Sequence, residues 1–481
     1  MPPKNQSTVT AKVMTTRTSK PPPIKAMKHQ LASLKAMKRV GAKPMRIFDM
    51  SDPGTGKTYV QIMAWAKDMK PGEKMLVIAP KSLLEPAWAN DIEKFAPHLR
   101  VSIARAENRE AAFAADADVY ITNTDAAVWL GKKPKGFFTK FMRLVIDEST
   151  GFKNPTSQRS KSLNKIKKFF RDRAVMTGTP TSNTITDIWN QANIVDDGER
   201  LGGSFYAFRL AVCAPVQVGP RTNMISWEDK PGAEEAVFSL LADITVRHRF
   251  EDCIDIPANH EFTMPYKLPA KQLRAYREMA LTQIAILDPG KKGKDVKAVS
   301  AINAAAVTTK LLQIASGAVY ENSEKYHLID SGRYELVMDL VEERKHSVVF
   351  YLWQHQCDLM VAEAKKRKLK FALYDSTASD KVKSQMIKDY QAGFYQVIFA
   401  HPASAAHGLT LTRGTCTIWP SPTYNLEWFV QGNKRTYRNG QKSKTETIVV
   451  LADDTIEGDV YNKMLKKGMR MTNLLELFAG Y

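Results

Sequence analysis

The sequence predicts an α/β fold made of two parallel-sheet lobes, each a sheet covered by helices, with helical insertions between them. Three observations carry this expectation. Short apolar runs alternate with helical patterns between residues 46 and 177, and do so again between 347 and 452. A glycine-rich loop suited to phosphate follows the first of these runs. The length of 481 residues, with 44% hydrophobic and 25% charged side chains, excludes bulk disorder. It suggests roughly two to four domains with substantial cores.

The excess charge lies mostly at the start of the chain. The whole sequence holds 70 Lys and Arg against 50 Asp and Glu, a formal +20, and the first 48 residues supply eleven basic groups and no acid. Residues 1–23 are rich in Ser, Thr and Lys and end in three prolines, which reads as a flexible basic arm. Such an arm resembles an organelle transit peptide in composition, but it shows no convincing amphipathic helix, and a solvated tail that weakly attracts phosphate is the preferred reading. A pI near 9.5 favours an anionic polymer as partner, most simply nucleic acid. The four cysteines, Cys213, Cys253, Cys357 and Cys416, form no C-x-x-C pair, so a zinc module or disulfide framework is not expected and a reducing interior fits. No apolar run approaches the ~18 residues of a membrane span.

From Ile24 the elements follow in order. Ile24, Met27, Leu31, Leu34 and Met37 recur at helical spacing until Gly41 and Pro44 end the helix. Strands are expected at Arg46–Met50, Met75–Ala79, Val119–Thr122, Leu144–Asp147 and Ala174–Thr177. A second series is expected at Ser347–Leu352, Phe371–Tyr374, Gln396–Ala400, Thr415–Trp419 and Thr447–Ala452. The domain reading is an arm at 1–23, a first lobe at 24–255 with a helical segment from about 182, a mostly helical linker at 256–330, and a second lobe at 331–481. The linker is interrupted by a charged loop at 290–297 that suits phosphate or solvent equally.

Two motifs carry chemistry. Ser51–Thr58 reads Ser-Asp-Pro-Gly-Thr-Gly-Lys-Thr between a strand and a helix. Gly54, Thr55 and Gly56 let the backbone wrap a phosphate, Lys57 reaches the β- and γ-phosphates, and Thr58 can hold Mg²⁺. The strict motif would have glycine at position 51, where this chain has serine. Ninety residues after Lys57, the strand Leu144–Ile146 delivers Asp147 and Glu148, the first to bind the Mg²⁺ shell and the second to polarise an attacking water. Loop and acids together point to nucleotide hydrolysis.

With these motifs, Gln30 and the C-terminal arginines in hand, the chain resembles the superfamily-two helicases and translocases, and most of all their Swi/Snf-type branch. Lys28-His29-Gln30 sits where that family reads adenine. Ala79–Leu84 with Trp88 is similar to motif Ia, Tyr120–Asn123 to motif Ib, and Thr177-Gly178-Thr179-Pro180 to motif III. Ile188-Trp189-Asn190-Gln191 and Val246–Arg249 resemble the helical segments carried on the first lobe. In the second lobe, Val348–Tyr351 resembles motif IV and His407–Thr412 motif V, while Gln431–Gln441 is similar to motif VI, with Arg435 and Arg438 in place.

The resemblance implies two RecA-like lobes of the P-loop NTPase class, with ATP and Mg²⁺ as cofactors. It further implies Gly408 at the nucleotide, Gln431, Arg435 and Arg438 as catalytic groups, and Thr177 and Thr179 as coupling residues. Candidate DNA-backbone contacts are Lys81, Ser82, Thr122 and Asn123 on the first lobe and Ser376, Thr377, Thr410 and Thr412 on the second. Aromatic residues near motifs IV and V (Tyr351, Trp353, Trp419, Tyr424, Trp428) are read as core before base-stacking groups. The chain departs from the family at Ser149-Thr150, where Asp-Glu-x-His is usual, and at Thr410, where Asn is usual. The insertions look short and no reader, finger or nuclease module is visible, as in compact Swi/Snf-like proteins of bacteriophages and bacteria.

The expected function is a DNA-dependent ATPase moving on double-stranded DNA in replication, recombination repair or remodelling of protein–DNA complexes. It would be a monomer rather than a ring, helped by a replication or recombination protein as loader, away from membranes, in the cytoplasm of a bacterial or phage-infected cell. Two alternatives stay open: a strand-separating or branch-migrating helicase on forks or RNA, and a nucleic-acid-binding ATP switch with little turnover.

Overall fold

The computed structural model describes residues 25–38, 41, 43–218, 224–286, 298–300, 304–323, 325–375, 377–405 and 409–479. The basic arm, the whole 290–297 loop, Ser376 and Gly408 therefore lie outside the described residues. The chain forms two compact units, Met1–Asp255 with Lys467–Tyr481, and Ile256–Lys466.

The first unit is built on seven parallel strands: β1 (Arg46–Asp49), β2 (Lys74–Ala79), β3 (Val101–Ala104), β4 (Val119–Asn123), β5 (Phe141–Ile146), β6 (Asp172–Met176) and β7 (Thr245–Val246). Their order is β3-β4-β2-β5-β6-β1-β7. The central strands are continuous apolar runs because helices cover both faces, which is the pattern a buried parallel sheet demands. Val77, Ile121, Val145 and Ala174 from the sheet pack with Val60, Ile62 and Trp65 of the helix α2 (Lys57–Asp68). Ahead of the sheet lies α1 (Lys28–Ala36), with Gln30 and Ser33 on its buried side.

The second unit has six parallel strands: β8 (Asn259–Tyr266), β9 (Ser347–Phe350), β10 (Phe371–Tyr374), β11 (Val397–Ala400), β12 (Cys416–Trp419) and β13 (Thr445–Ala452). The order is β8-β13-β12-β9-β11-β10. Val349, Phe399, Ile418, Ile448 and Val450 form its core with Val337, Val341 and Met360 from the helices Gly332–Arg344 and Gln354–Lys366.

Residues 256–330 differ from a mostly helical linker. Their first strand, β8, pairs with β13 over eight residues and is an edge of the second sheet. It alternates half-buried and exposed positions and contains Pro265, both tolerable only at an edge, so it lacks the apolar run that announces a central strand. The helices Ala270–Thr282 and Ala304–Ala315 follow, packed through Ala275, Met279, Leu311 and Ile314. Among the described residues of the first unit, the segment after residue 182 likewise includes a hairpin, Cys213–Gln217 against Ile225–Asp229.

Candidate nucleotide site

The loop between β1 and α2 is shaped by two left-handed glycines, Gly54 at φ 93° and Gly56 at φ 87°. Glycine adopts this conformation without steric cost. At Gly56 the space is also taken, since a Cβ would stand 2.4 Å from Gln30 Nε2. Ser51 needs no such freedom. It is buried, its N–H donates to Asp49 Oδ1 (3.0 Å), and its hydroxyl accepts the His248 N–H (3.1 Å).

The first half of the loop is stitched to the strand end that follows β7. Met50 N–H donates to Val246 O and Asp52 N–H to His248 O, while the Asp52 carboxylate accepts from Arg247 Nη1 (2.6 Å) and Phe250 N–H (2.9 Å). The second half passes into α2, whose first-turn N–H groups have no partner within the helix. Lys57 Nζ donates to Ser51 O (2.7 Å) and Asp52 O (3.1 Å), which holds the ammonium over the loop. Thr58 follows it, half-buried. Gln30 and His29 from α1 both donate to Thr55 O, at 3.3 and 2.8 Å, so the loop and the glutamine expected beside it do meet.

Asp147 lies just beyond the end of β5, and its N–H donates to Ile78 O of β2. Burial, with the neighbouring Glu148 carboxylate, pushes the Asp147 carboxyl up to about 6, against the opposing pull of the Trp88 indole and Lys57. Trp88 Nε1 donates to Asp147 Oδ2 (2.8 Å), and Glu148 N–H to Oδ1 (2.9 Å). Trp88 sits in a π-helical turn, Leu84–Ala89, which brings its indole across 59 residues to the acid. Nothing in the sequence flags this contact. Glu148 has φ 48°, a left-handed conformation that costs a non-glycine residue about 1–2 kcal/mol. Two adjacent carboxylates, one of them dehydrated, beside an ammonium and a glycine-rich loop fit a divalent cation on a polyphosphate.

Thr177-Gly178-Thr179-Pro180 continues β6 toward this loop. Thr177 N–H donates to Asp49 O and its hydroxyl accepts the Thr179 N–H (3.1 Å). A Cβ on Gly178 would stand 2.6 Å from Pro53 Cδ, so the two loops are in direct contact. The Thr179 hydroxyl is buried and has no hydrogen-bond partner among the described residues.

In the second unit, Gln431 lies on the helix α3 (Leu426–Asn433), which Asn425 caps by accepting the Trp428 N–H (3.1 Å). Arg435 is buried; Nη2 donates to Gln431 Oε1 (2.7 Å), Nε to Gln431 O (2.8 Å) and Nη1 to Leu409 O (3.2 Å). Arg438 is half-buried and donates to Leu409 O (3.0 Å). The structure thus separates two arginines that the sequence treats alike: one is held inside the unit, the other reaches its surface.

The expected DNA contacts divide. Lys81 and Ser82 are exposed on the turn after β2, and Asn123 is half-buried at the end of β4, its Oδ1 accepting from Arg109 (3.4 Å). Thr122 has to be corrected: its side chain is fully buried and donates to Ala104 O of the adjacent strand (2.8 Å), so its hydroxyl is committed inside the sheet. Thr377 is exposed, with its N–H and hydroxyl both on Asp375 Oδ1 in a local turn. Thr410 is half-buried, and the Thr412 hydroxyl accepts from Gln391 Nε2 (3.1 Å). Of the aromatics, Tyr351 and Trp419 are core, and Tyr424 is 41% exposed.

Residues 29–315 match the SNF2-related domain, and residues 332–440 match the helicase conserved C-terminal domain. Protein p41 of Acyrthosiphon pisum secondary endosymbiont phage 1 is 29% identical over 446 residues, 88% of this chain and 93% of that protein. An uncharacterized ATP-dependent helicase of Mycoplasma pneumoniae is 24% identical over 412 residues, 82% of this chain and 36% of its own. The chromodomain-helicase-DNA-binding protein 1-like of Danio rerio is 21% identical over 436 residues, 87% of this chain and 41% of its own, so this chain spans about two-fifths of these two longer relatives. Among solved structures, a SWI2/SNF2 ATPase core of Sulfolobus solfataricus in complex with dsDNA aligns over 95% of both chains at 20% identity, with a TM-score of 0.42.

Proposed function

Since the chain belongs to the SNF2-related, Swi/Snf-type family of ATP hydrolases, we propose that it couples ATP turnover to movement along double-stranded DNA. The observation that carries the nucleotide half of this reading is the convergence of Lys57, Asp147, Glu148 and Trp88 around one glycine loop. The DNA half is supported by the family and by the formal +20 charge.

In this reading Lys57 and the first turn of α2 bind the phosphates, and Gln30 orients the base. Thr58 and Asp147 would hold Mg²⁺, which when bound neutralises the phosphate charge. Glu148 accepts a proton from the attacking water. Arg438, with Arg435 behind it, supplies the positive charge that phosphoryl transfer requires; such a guanidinium is worth about 10³–10⁵ in rate. In this reading the protein acts as a monomer rather than a ring. Lys81, Ser82 and Asn123 contact the DNA backbone without reading sequence. A loading partner directs the motor to its target, in the cytoplasm of a bacterial or phage-infected cell. Among the described residues, no helix is long and apolar enough to cross a membrane.

ATP hydrolysis measured with no nucleic acid, duplex, single-stranded, forked DNA and RNA, each across a salt titration, tests the proposal. Stimulation by plain duplex that fades as salt rises is expected. Stimulation by forks or single strands alone would replace it with the strand-separating reading, and no stimulation at all with a nucleotide switch.

A further inference from the structure

The turn that carries Glu148 is anchored by a residue outside the nucleotide motifs. The Ser149 hydroxyl donates to Gln191 Oε1 (2.6 Å), and Gln191 Nε2 donates to both Pro180 O (2.8 Å) and Asp187 O (2.8 Å). Both side chains are completely buried. Gln191 lies mid-helix in Ile188–Asp196, and its amide joins three separate backbone segments: the turn after Glu148, the Thr177–Pro180 loop, and the turn Ile185–Asp187. Both Nε2 protons and the amide oxygen are engaged, so the strut has little slack, and each bond polarises the next.

What the strut holds is unusual. Glu148 occupies a left-handed conformation immediately before Ser149, and such a conformation persists where the surroundings fix it. At the other end, Pro180 closes the loop whose Gly178 abuts Pro53 of the phosphate loop. An apolar residue at 191 would leave Pro180 O and Asp187 O without these donors, so the amide ties Ser149 to backbone on two other segments rather than merely filling space.

We propose that Gln191, acting through Ser149, is a positioning residue that fixes the Glu148 carboxylate relative to the phosphate loop. This rests on the reading of Glu148 as the group that activates water. The test is steady-state ATP turnover by the full chain with Ser149→Ala, Gln191→Leu, the pair combined, and Ser149→Thr. Misplacing a reacting group costs rate more than binding, so each of the first two should lower kcat about tenfold, with KM for ATP within about twofold. One strut broken at either end predicts a double variant no slower than the worse single, and Ser149→Thr, which keeps the hydroxyl, should recover most of the rate.

The inference is overturned if Ser149→Ala keeps wild-type kcat, if Thr fails as Ala does, if the defects multiply to about a hundredfold, or if KM alone moves. Should Gln191→Leu not fold, the Ala and Thr variants at 149 decide alone. A wild type stimulated by no nucleic acid refutes the DNA reading only, and the comparison is then made on unstimulated kcat. A wild type that does not hydrolyse ATP overturns both.

Discussion

Asp147 should make the first unit less stable at neutral pH than a neutral replacement would. Its ordinary value is 3.8, and in the folded protein burial and Glu148 push it up to about 6. For an acid raised on folding, the native state binds more protons than the unfolded state between those two values. Stability is therefore full below about 4, declines as pH rises through the window, and is lowest above 6. At ~1.4 kcal/mol per pH unit, the penalty reaches about 3 kcal/mol.

Asp147→Asn removes the titration but spoils one of two bonds. Oδ1 and Oδ2 each accept a donor, Glu148 N–H and Trp88 Nε1–H, and an amide has a single acceptor oxygen. That loss costs about 1–2 kcal/mol. The variant should thus gain stability relative to wild type as pH rises from 4 to 8, by on the order of a few kcal/mol, while losing ATP turnover. Urea unfolding of both proteins at several pH values from 4 to 8 measures this. A stability difference that stays constant across the range would refute the assigned titration, whatever its sign.

Lys57→Ala and Glu148→Gln should each abolish ATP turnover while DNA retention in a filter-binding assay stays near wild type; turnover at the wild-type rate would remove either residue from the site. Arg438→Ala should cut kcat by at least about a hundredfold with little change in nucleotide affinity, and a pure affinity loss in fluorescent-nucleotide titrations would argue against its role. Lys81→Ala should weaken DNA binding and reduce the salt slope by about one, whereas Thr122→Val should leave DNA affinity unchanged and lower unfolding stability by about 1 kcal/mol, reflecting its buried bond to Ala104. Gly178→Ala should raise the KM for ATP, because its new methyl must displace Pro53; an unchanged KM would show that the loop yields.

Much of the fold was legible because central parallel strands advertise themselves as apolar runs. The strand ending at Asp147 and the one preceding Ser51 could be placed from the sequence for that reason. Edge strands are legible only in part: Phe371–Tyr374 shows in the sequence, whereas Val101–Ala104 and Thr245–Val246 are too short to stand out beside their flanks, and Asn259–Tyr266 alternates polar and apolar groups around a proline. In the site, residues adjacent in sequence were readable and long-range partners were not. Trp88, Gln191, Arg247 and His248 approach the motifs across tens to hundreds of residues, and no spacing rule links them. Thr122 was misplaced for a related reason. A threonine near a strand end serves a surface or a neighbouring strand equally well, and only the pairing with Val101–Ala104 decides.

The stitching of the phosphate loop to residues 246–250 bears on how the protein is made. Ser51 and Asp52 take their partners from residues 195 to 198 positions later in the chain. At a synthesis rate of about 5–20 residues per second, the loop waits on the order of 10–40 seconds for them on the ribosome. The hydrophobic strands can pair in that interval, so the nascent first unit passes through a stage with a sheet but an unbraced loop. Competence to bind nucleotide then arrives late, and a chain stalled before residue 245 should be a folding intermediate to which added ATP brings little protection from proteolysis.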